Sequence, residues 1–255
     1  MATGKFETRL IHGGDSEPAA GAGVAPGIEL STTYVRADPR DTQEFTYGRS
    51  DNPNRRTLER RLASIENAFD AAAFASGSAA AMALFQTLPA GSHIIVTRDA
   101  YYGVIMLLND LVIKMGHEVT PVDTSLPANV ENCWQKNTRL VWLETPSNPQ
   151  MRIADVAAIA QLTHRNGAVL CCDNTMATIV LQDPLALGAD FTMHSSTKFI
   201  GGHSDITGGV IIAREDSEQF QRLREIQALA GSTPSPFDCW LLLRSLATLG
   251  LRVQQ

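Results

Sequence analysis

The chain has 255 residues, 44% of them hydrophobic and 19% charged, with a formal net charge of −6. That length buries a full core as one large domain or two small ones, and an acidic balance with no basic run argues against a nucleic-acid partner. No apolar stretch reaches membrane-spanning length, the N-terminus lacks a signal peptide's apolar core, and Cys133, Cys171, Cys172 and Cys239 contain no Cys-x-x-Cys pair, so the expectation is a cytoplasmic protein with neither structural metal nor disulfide framework.

Residues 1–53 differ in texture from the rest. Gly13-Gly14, Pro18, Gly21, Gly23, Pro26 and Gly27 break any helical or alternating pattern, yet Ile28, Leu30, Tyr34, Val35, Phe45 and Tyr47 are too many apolar groups for a free tail. The segment reads as an arm lying on another surface, preferably that of a second subunit. From Pro53 the pattern is regular. Leu58, Leu62, Ile65 and Phe69 recur at helical spacing, with Glu59, Arg60, Arg61 and Glu66 between them, which predicts an amphipathic helix. Ser76-Gly77-Ser78 precedes a helix over 79–88. Ile94 to Val96 predicts a strand, and Leu107, Leu108, Leu111 and Met115 a helix. Further strands are predicted at Val119 to Val122, Leu140 to Leu143, Ala168 to Cys172 and Ala189 to Met193, with a helix from Asp155 to Arg165. Uninterrupted apolar strands alternating with helices predict an α/β fold, a mostly parallel sheet covered on both faces. Cys239 to Gln255 reads as one helix cut in mid-course.

Ligands of open parallel sheets bind beyond the carboxyl ends of the strands. Those ends carry Arg98 to Gly103, Glu144-Thr145-Pro146-Ser147-Asn148-Pro149, Asp173-Asn174-Thr175 and His194-Ser195-Ser196-Thr197-Lys198. Lys198, one of only four lysines, lies among hydroxyl residues and glycines, a setting that suits a desolvated amine condensing with a carbonyl. Ser76-Gly77-Ser78 opens a helix whose N–H groups suit a phosphate. Singly, Asp173 fits a turn cap, Tyr101 and Tyr102 fit rim aromatics, Asn148 fits a loop-shaping residue, and His194 and His203 fit structural hydrogen-bonding groups. Jointly they offer an amine, an aromatic plate, a strand-end carboxylate and an anion cradle, the set that pyridoxal phosphate requires. A nucleotide-binding reading fails, because neither Gly-x-x-x-x-Gly-Lys nor Gly-x-Gly-x-x-Gly follows the first strand.

On these residues the chain resembles the Cys/Met-metabolism (transsulfuration) family of pyridoxal-phosphate enzymes, fold type I. The family includes cystathionine γ-synthase, cystathionine β- and γ-lyases, methionine γ-lyase and O-acyl-homoserine sulfhydrylases. The resemblance runs from Thr8-Arg9-Leu10-Ile11-His12-Gly13-Gly14 to Leu243-Arg244, and Ser195-Ser196-Thr197-Lys198 with Gly202-His203-Ser204-Asp205 is its most specific part. It implies that Lys198 holds pyridoxal 5′-phosphate as a Schiff base and shuttles protons, and that Asp173 pairs with the pyridine nitrogen, with Thr175 beside it in the cofactor set. It further implies that Tyr102 stacks on the ring and that Gly77, Ser78, Ser195 and Thr197 hold the phosphate. Asn148 would lie near the cofactor oxygen and the substrate carboxylate. Tyr47 and Arg49 would reach the phosphate of the neighbouring subunit in a homodimer or homotetramer. The implied activity is a carbon–sulfur lyase of cysteine and methionine metabolism, acting on a small sulfur amino acid by β- or γ-elimination. The alternatives are a γ-replacement enzyme using an O-acyl-homoserine, or a non-catalytic cofactor-binding or pairing module.

Three features depart from the family pattern. Members continue into a smaller C-terminal domain carrying the arginine for the substrate carboxylate, so residues 54–255 read as the large domain of a C-terminally truncated chain. The usual Tyr-Gly-Gly-Ser/Thr is Tyr102-Gly103-Val104-Ile105 here. Ser50 stands where some γ-synthases carry a second arginine, which favours a lyase.

Overall fold

Seven strands form one sheet: β1 (Asp70–Phe74), β2 (His93–Thr97), β3 (Glu118–Val122), β4 (Thr138–Glu144), β5 (Val169–Asp173), β6 (Phe191–His194) and β7 (Gly209–Ala213). Their order is β1-β7-β6-β5-β4-β2-β3. The computed structural model describes residues 5–14, 23–38, 40 and 43–255, so the predicted breaks at Pro18 and Gly21 lie outside the described residues. Pairing is parallel from β3 through β2, β4 and β5 to β6. β7 runs antiparallel to both β6 and β1. Neither β1 nor β7 is among the predicted strands, although Val210-Ile211-Ile212 is a β-branched run like that of β2. Ala71, Ala72 and Ala73 prefer helix by intrinsic propensity, and they become strand because Val210, Ile211 and Ile212 of β7 pair with them.

Alternation along each strand builds a core on both faces. Leu140, Trp142 and Cys171 face one side, where α3 (Gly77–Phe85), α4 (Tyr102–Leu107) and α8 (Glu218–Ala230) pack. Val141, Leu143, Leu170 and Cys172 face the other, under α6 (Val156–Arg165) with Val130 of α5 (Pro127–Asn132). Nearer β1 and β7 that second face is covered by α1 (Phe6–His12), α2 (Pro53–Ile65) and α9 (Pro236–Leu246), while Ile179 and Val180 of α7 (Thr178–Leu181) and Leu249 of α10 (Leu249–Val253) close its rim.

Three boundaries differ from expectation. The helix after Pro53 starts with the Asn52 side chain accepting from the Asn54 and Arg55 N–H groups. It stops at Ile65, because Asn67 adopts a left-handed φ of 52°, and this leaves Phe69 exposed beside β1. The helix carrying Leu107 to Met115 is continuous in path but widens to a π-type turn at Leu108–Val112 and tightens at Ile113–Met115. The last helix is two, since the Ser245 carbonyl accepts from Thr248 N and from the Arg252 guanidinium, turning the chain between α9 and α10.

The charged positions of α2 are not a solvated face. Arg55, Glu59 and Arg61 are buried, as is Glu66 just after the helix. Glu59 Oε1 accepts from Ala73 N of β1 at 2.8 Å and from Gln227 Nε2 of α8 at 2.8 Å, and Oε2 lies 2.8 Å from Arg224. One carboxylate thus joins a helix on each face of the sheet to the edge strand. Removing it leaves the buried Ala73 N–H without its acceptor and takes the counter-charge from Arg224, 2.8 Å away, and from buried Arg55, 3.9 Å away. Glu59→Ala should lower unfolding free energy by about 3–5 kcal/mol, measured by urea denaturation; a loss under about 1 kcal/mol would deny the carboxylate this role.

Candidate active site

The chain's crossovers reverse at β2 and β4, which form one side of a crevice that extends over β5 and β6. β2 leads outward to β3, while β4 leads the other way to β5 and β6. Loops leaving the carboxyl ends of β2, β4, β5 and β6 meet there with the start of α3. They wall a cavity of about 190 Å³.

Of the predicted site residues, Gly77, Ser78, Asn148, Asp173, Thr175, Ser195, Thr197 and Lys198 line this cavity. Tyr102 does not. Its side chain is 72% exposed, and the wall position belongs to Tyr101, whose ring packs over Gly103. The difference has a local cause: α4 begins at Tyr102, while Tyr101 stands just before its first turn, with φ −44° and ψ 128°, and lines the cavity. Tyr47 and Arg49 also lie outside the cavity and are exposed. The Arg49 guanidinium sits 5.6 Å from the Tyr47 ring centroid and donates to the Ala228 and Leu229 carbonyls at the end of α8. The described part of the arm is fastened to its own chain. Asn54 Nδ2 donates to Gly27 O, Asn52 Nδ2 to Glu29 O, and Trp240 Nε1 to Pro26 O.

Lys198 follows β6 on a tight path. Its N–H donates to Ser195 O, Gly201 N to Ser196 O, and Gly202 N to Lys198 O. Gly202 takes a φ of 72°, a conformation that residues with a Cβ resist. Arg252 donates to the Phe199 and Ile200 carbonyls from the other side. The expected desolvation is not found. Lys198 is exposed at the cavity mouth, and among the described residues its amine has no partner.

At the inner end lie two carboxylates in register on adjacent strands, Glu144 and Asp173. Asp173 Oδ1 accepts from Thr175 N at 3.0 Å and Thr175 Oγ1 at 2.6 Å, and Thr175 Oγ1 in turn accepts from Ser195 N at 2.8 Å. Burial raises the Asp173 carboxyl above its ordinary range against the pull of those bonds and of His194. Glu144 accepts from Tyr101 N at 2.7 Å and Asn148 N at 2.8 Å. Burial first, then the Asp173 charge, pushes Glu144 up to about 8. Glu144 is the residue that sequence reasoning passed over, because a glutamate at a strand end carries no signal of which group will stand opposite it.

The anion end is α3. Ser76 caps it by accepting from Ala79 N at 3.1 Å, which leaves the Gly77 and Ser78 N–H groups facing the cavity with the helix dipole behind them. A Cβ on Gly77 would lie 3.1 Å from the Ser195 side chain, so glycine keeps that cradle open. Among the described residues the Ser195 hydroxyl makes no hydrogen bond, whereas the Thr197 hydroxyl already bonds Gly208 N and O. His194 is held by Glu66 at 2.5 Å and His203 by the Gly201 carbonyl at 2.6 Å.

A cation next to Asp173 and Glu144, a planar ring against Tyr101, a phosphate at α3 and a carbonyl within the lysine's compass all fit this arrangement. The donor set therefore fits pyridoxal phosphate, on an α/β scaffold of fold type I. The chain belongs to the Cys/Met metabolism PLP-dependent enzyme family, whose model matches residues 7–255. It is 41% identical to a probable cystathionine gamma-synthase of Herpetosiphon aurantiacus, covering 98% of this chain and 78% of that one. It is 40% identical to the cystathionine gamma-lyase of Saccharomyces cerevisiae, covering 98% and 64%. The fold superposes with a TM-score of 0.93 on a cystathionine gamma-lyase from Lactobacillus plantarum complexed with L-serine, at 38% identity over 97% of this chain and 64% of that one. The chain thus spans just under two thirds of the length of the yeast and Lactobacillus proteins.

The carboxylate pair has a consequence for stability. A group whose folded pKa lies above its unfolded value binds its proton more tightly in the native state, so its stabilisation is complete at low pH and lost on raising pH. For Glu144 that window runs from its ordinary value of 4.5 up to about 8. Without added cofactor, wild-type unfolding free energy should fall more steeply across this window than that of Glu144→Gln, by up to about 1.4 kcal/mol per pH unit. Urea midpoints at several pH values test this; parallel profiles would contradict the burial argument.

Proposed function

We propose that this chain forms the cofactor-binding domain of a pyridoxal-phosphate-dependent carbon–sulfur lyase of the transsulfuration group, acting in the cytoplasm on a sulfur amino acid. The observation that carries the reading is the convergence of Lys198, Asp173, Tyr101 and the α3 N-terminus on one cavity. When bound, the cofactor supplies an electron sink for the carbanion left when the substrate loses its α-proton. The chain's own residues do the rest. Lys198, at the mouth, provides the amine for covalent attachment and then takes and returns the proton at its Nζ. Asp173 keeps a proton on the ring nitrogen. Tyr101 covers the ring face, and the Gly77 and Ser78 N–H groups with the Ser195 hydroxyl anchor the phosphate. Asn148, which lines the same cavity, would hydrogen-bond the ring's oxygen or the substrate carboxylate. A γ-replacement activity uses the same apparatus, and relatives of both kinds are similar to this chain; the serine at position 50 favours the lyase.

Tyr47 and Arg49, exposed and outside their own cavity, support the further proposal that they serve the site of a second subunit, in a dimer or tetramer. Two experiments test these readings. The 255-residue chain mixed with pyridoxal 5′-phosphate should develop a visible band that borohydride abolishes, and Lys198→Ala should lose it; a variant keeping the wild-type band would sink the lysine assignment. Arg49→Ala should bind the cofactor about tenfold or more weakly, the loss of one charge-assisted hydrogen bond, and mixing it with Lys198→Ala should restore one tight site per pair. No recovery on mixing would contradict the shared site.

A further inference from the structure

Glu144 is almost fully buried, 4% exposed, and the roles proposed above for lysine, aspartate, tyrosine and phosphate anchor leave it without one. Burying a carboxylate is costly unless its oxygens are hydrogen-bonded. Here both are used, each on a backbone donor from a different loop. Oε2 takes Tyr101 N, in the loop after β2, and Oε1 takes Asn148 N, in the loop after β4. Its own N–H donates to Thr97 Oγ1 at the end of β2, at 3.0 Å. A second tether joins the same loops farther out, where Ser147 Oγ donates to Asp99 Oδ2 at 2.6 Å and Arg152 Nε lies 3.5 Å from that oxygen. Neither Tyr101 N nor Asn148 N belongs to a strand or to a helix interior, so no ladder would fix them if Glu144 were absent. The side chains these amides carry line the cavity, one from each wall.

We propose that Glu144 is a positioning residue, a single carboxylate whose two oxygens fix the Tyr101 and Asn148 backbones and so set the width and register of the slot that receives the cofactor ring. This rests on the cofactor reading given above. A carboxyl accepts from two N–H donors at once, when ionised and also when protonated, because its hydroxyl oxygen keeps lone pairs; an amide offers one oxygen and turns an N–H₂ group, which accepts nothing, against the other donor. The sheet register also places Glu144 beside Asp173, so the slot-setting group and the ring-nitrogen partner form one acidic floor.

The test compares wild type and Glu144→Gln, with fold checked by far-ultraviolet circular dichroism. Glu144→Gln should still attach pyridoxal 5′-phosphate at Lys198 but bind it about tenfold more weakly, since one buried N–H loses its acceptor. It should also show altered visible circular dichroism per bound cofactor, because the ring seats differently between Tyr101 and Asn148. A substitution that merely loosened the fold would weaken binding and leave that ellipticity unchanged; unchanged ellipticity overturns the proposal. Amide exchange in wild type, read residue by residue, decides independently of whether the variant folds. Tyr101 and Asn148 amides should exchange more slowly than those of Tyr102 and Gln150, which have no backbone acceptor outside helix and strand. Equal exchange also overturns it. Slow Tyr101 and Asn148 amides in a wild-type chain that never colours would refute the cofactor reading and leave the clamp standing.

Discussion

The constraint on which the site depends is the pairing of β4 with β5, which sets Glu144 opposite Asp173 at the carboxyl edge of a buried parallel sheet. Two carboxylates so close in a desolvated place resist both being ionised. Their cost is offset in two ways. Backbone and hydroxyl donors converge on them from Tyr101, Asn148 and Thr175, and the site suits a ligand that brings positive charge to the same spot. The cavity's other end has the opposite character, a helix N-terminus with free N–H groups. A molecule with a cationic ring nitrogen and a dianionic tail would thereby be oriented by electrostatics before any covalent bond formed.

The sheet beneath makes that polarity durable. Ile95, Val141, Leu143, Leu170 and Cys172 are fully buried on one face, and Ile94, Leu140, Trp142 and Cys171 on the other. The strand ends therefore cannot shift without exposing core, and a one-residue slip would turn each side chain to the wrong face. The Glu59 network fastens the antiparallel edge, β1 and β7, to α2 and α8. Near that edge the chain rises into Gly77, on one wall of the cavity, while the end of β6 delivers Ser195 close to it.

Much of this was legible in the sequence, and what was not has physical reasons. Long apolar runs such as Leu140 to Leu143 are fully buried strands and read as such. Ala71 to Ala73 carry no strand signal, since their state is imposed by β7. The charges of α2 have the spacing of a solvent face, yet Arg55, Glu59 and Arg61 are buried, because partners elsewhere in the chain, such as Ala73 and Gln227 for Glu59, complete them. That Lys198 and Asp173 stand at one cavity follows from the strand ends their motifs mark; which of Tyr101 and Tyr102 lines it was not legible, because that turns on the residue at which α4 starts. Glu144 was hidden for a related reason. Its role exists only through two backbone amides that neighbour it in space and not in pattern.

The comparison with relatives bears on the scaffold and the family, and the cofactor's seat is where the account is most exposed. The most direct measurement is a crystal structure of the 255-residue chain grown with pyridoxal 5′-phosphate. The account predicts a covalent bond from Lys198 Nζ to the cofactor, the ring nitrogen within hydrogen-bonding distance of Asp173, Tyr101 on the ring face, and the phosphate at the Gly77 and Ser78 N–H groups. A cofactor bonded to another lysine, or seated with its phosphate towards Asp173, would contradict it.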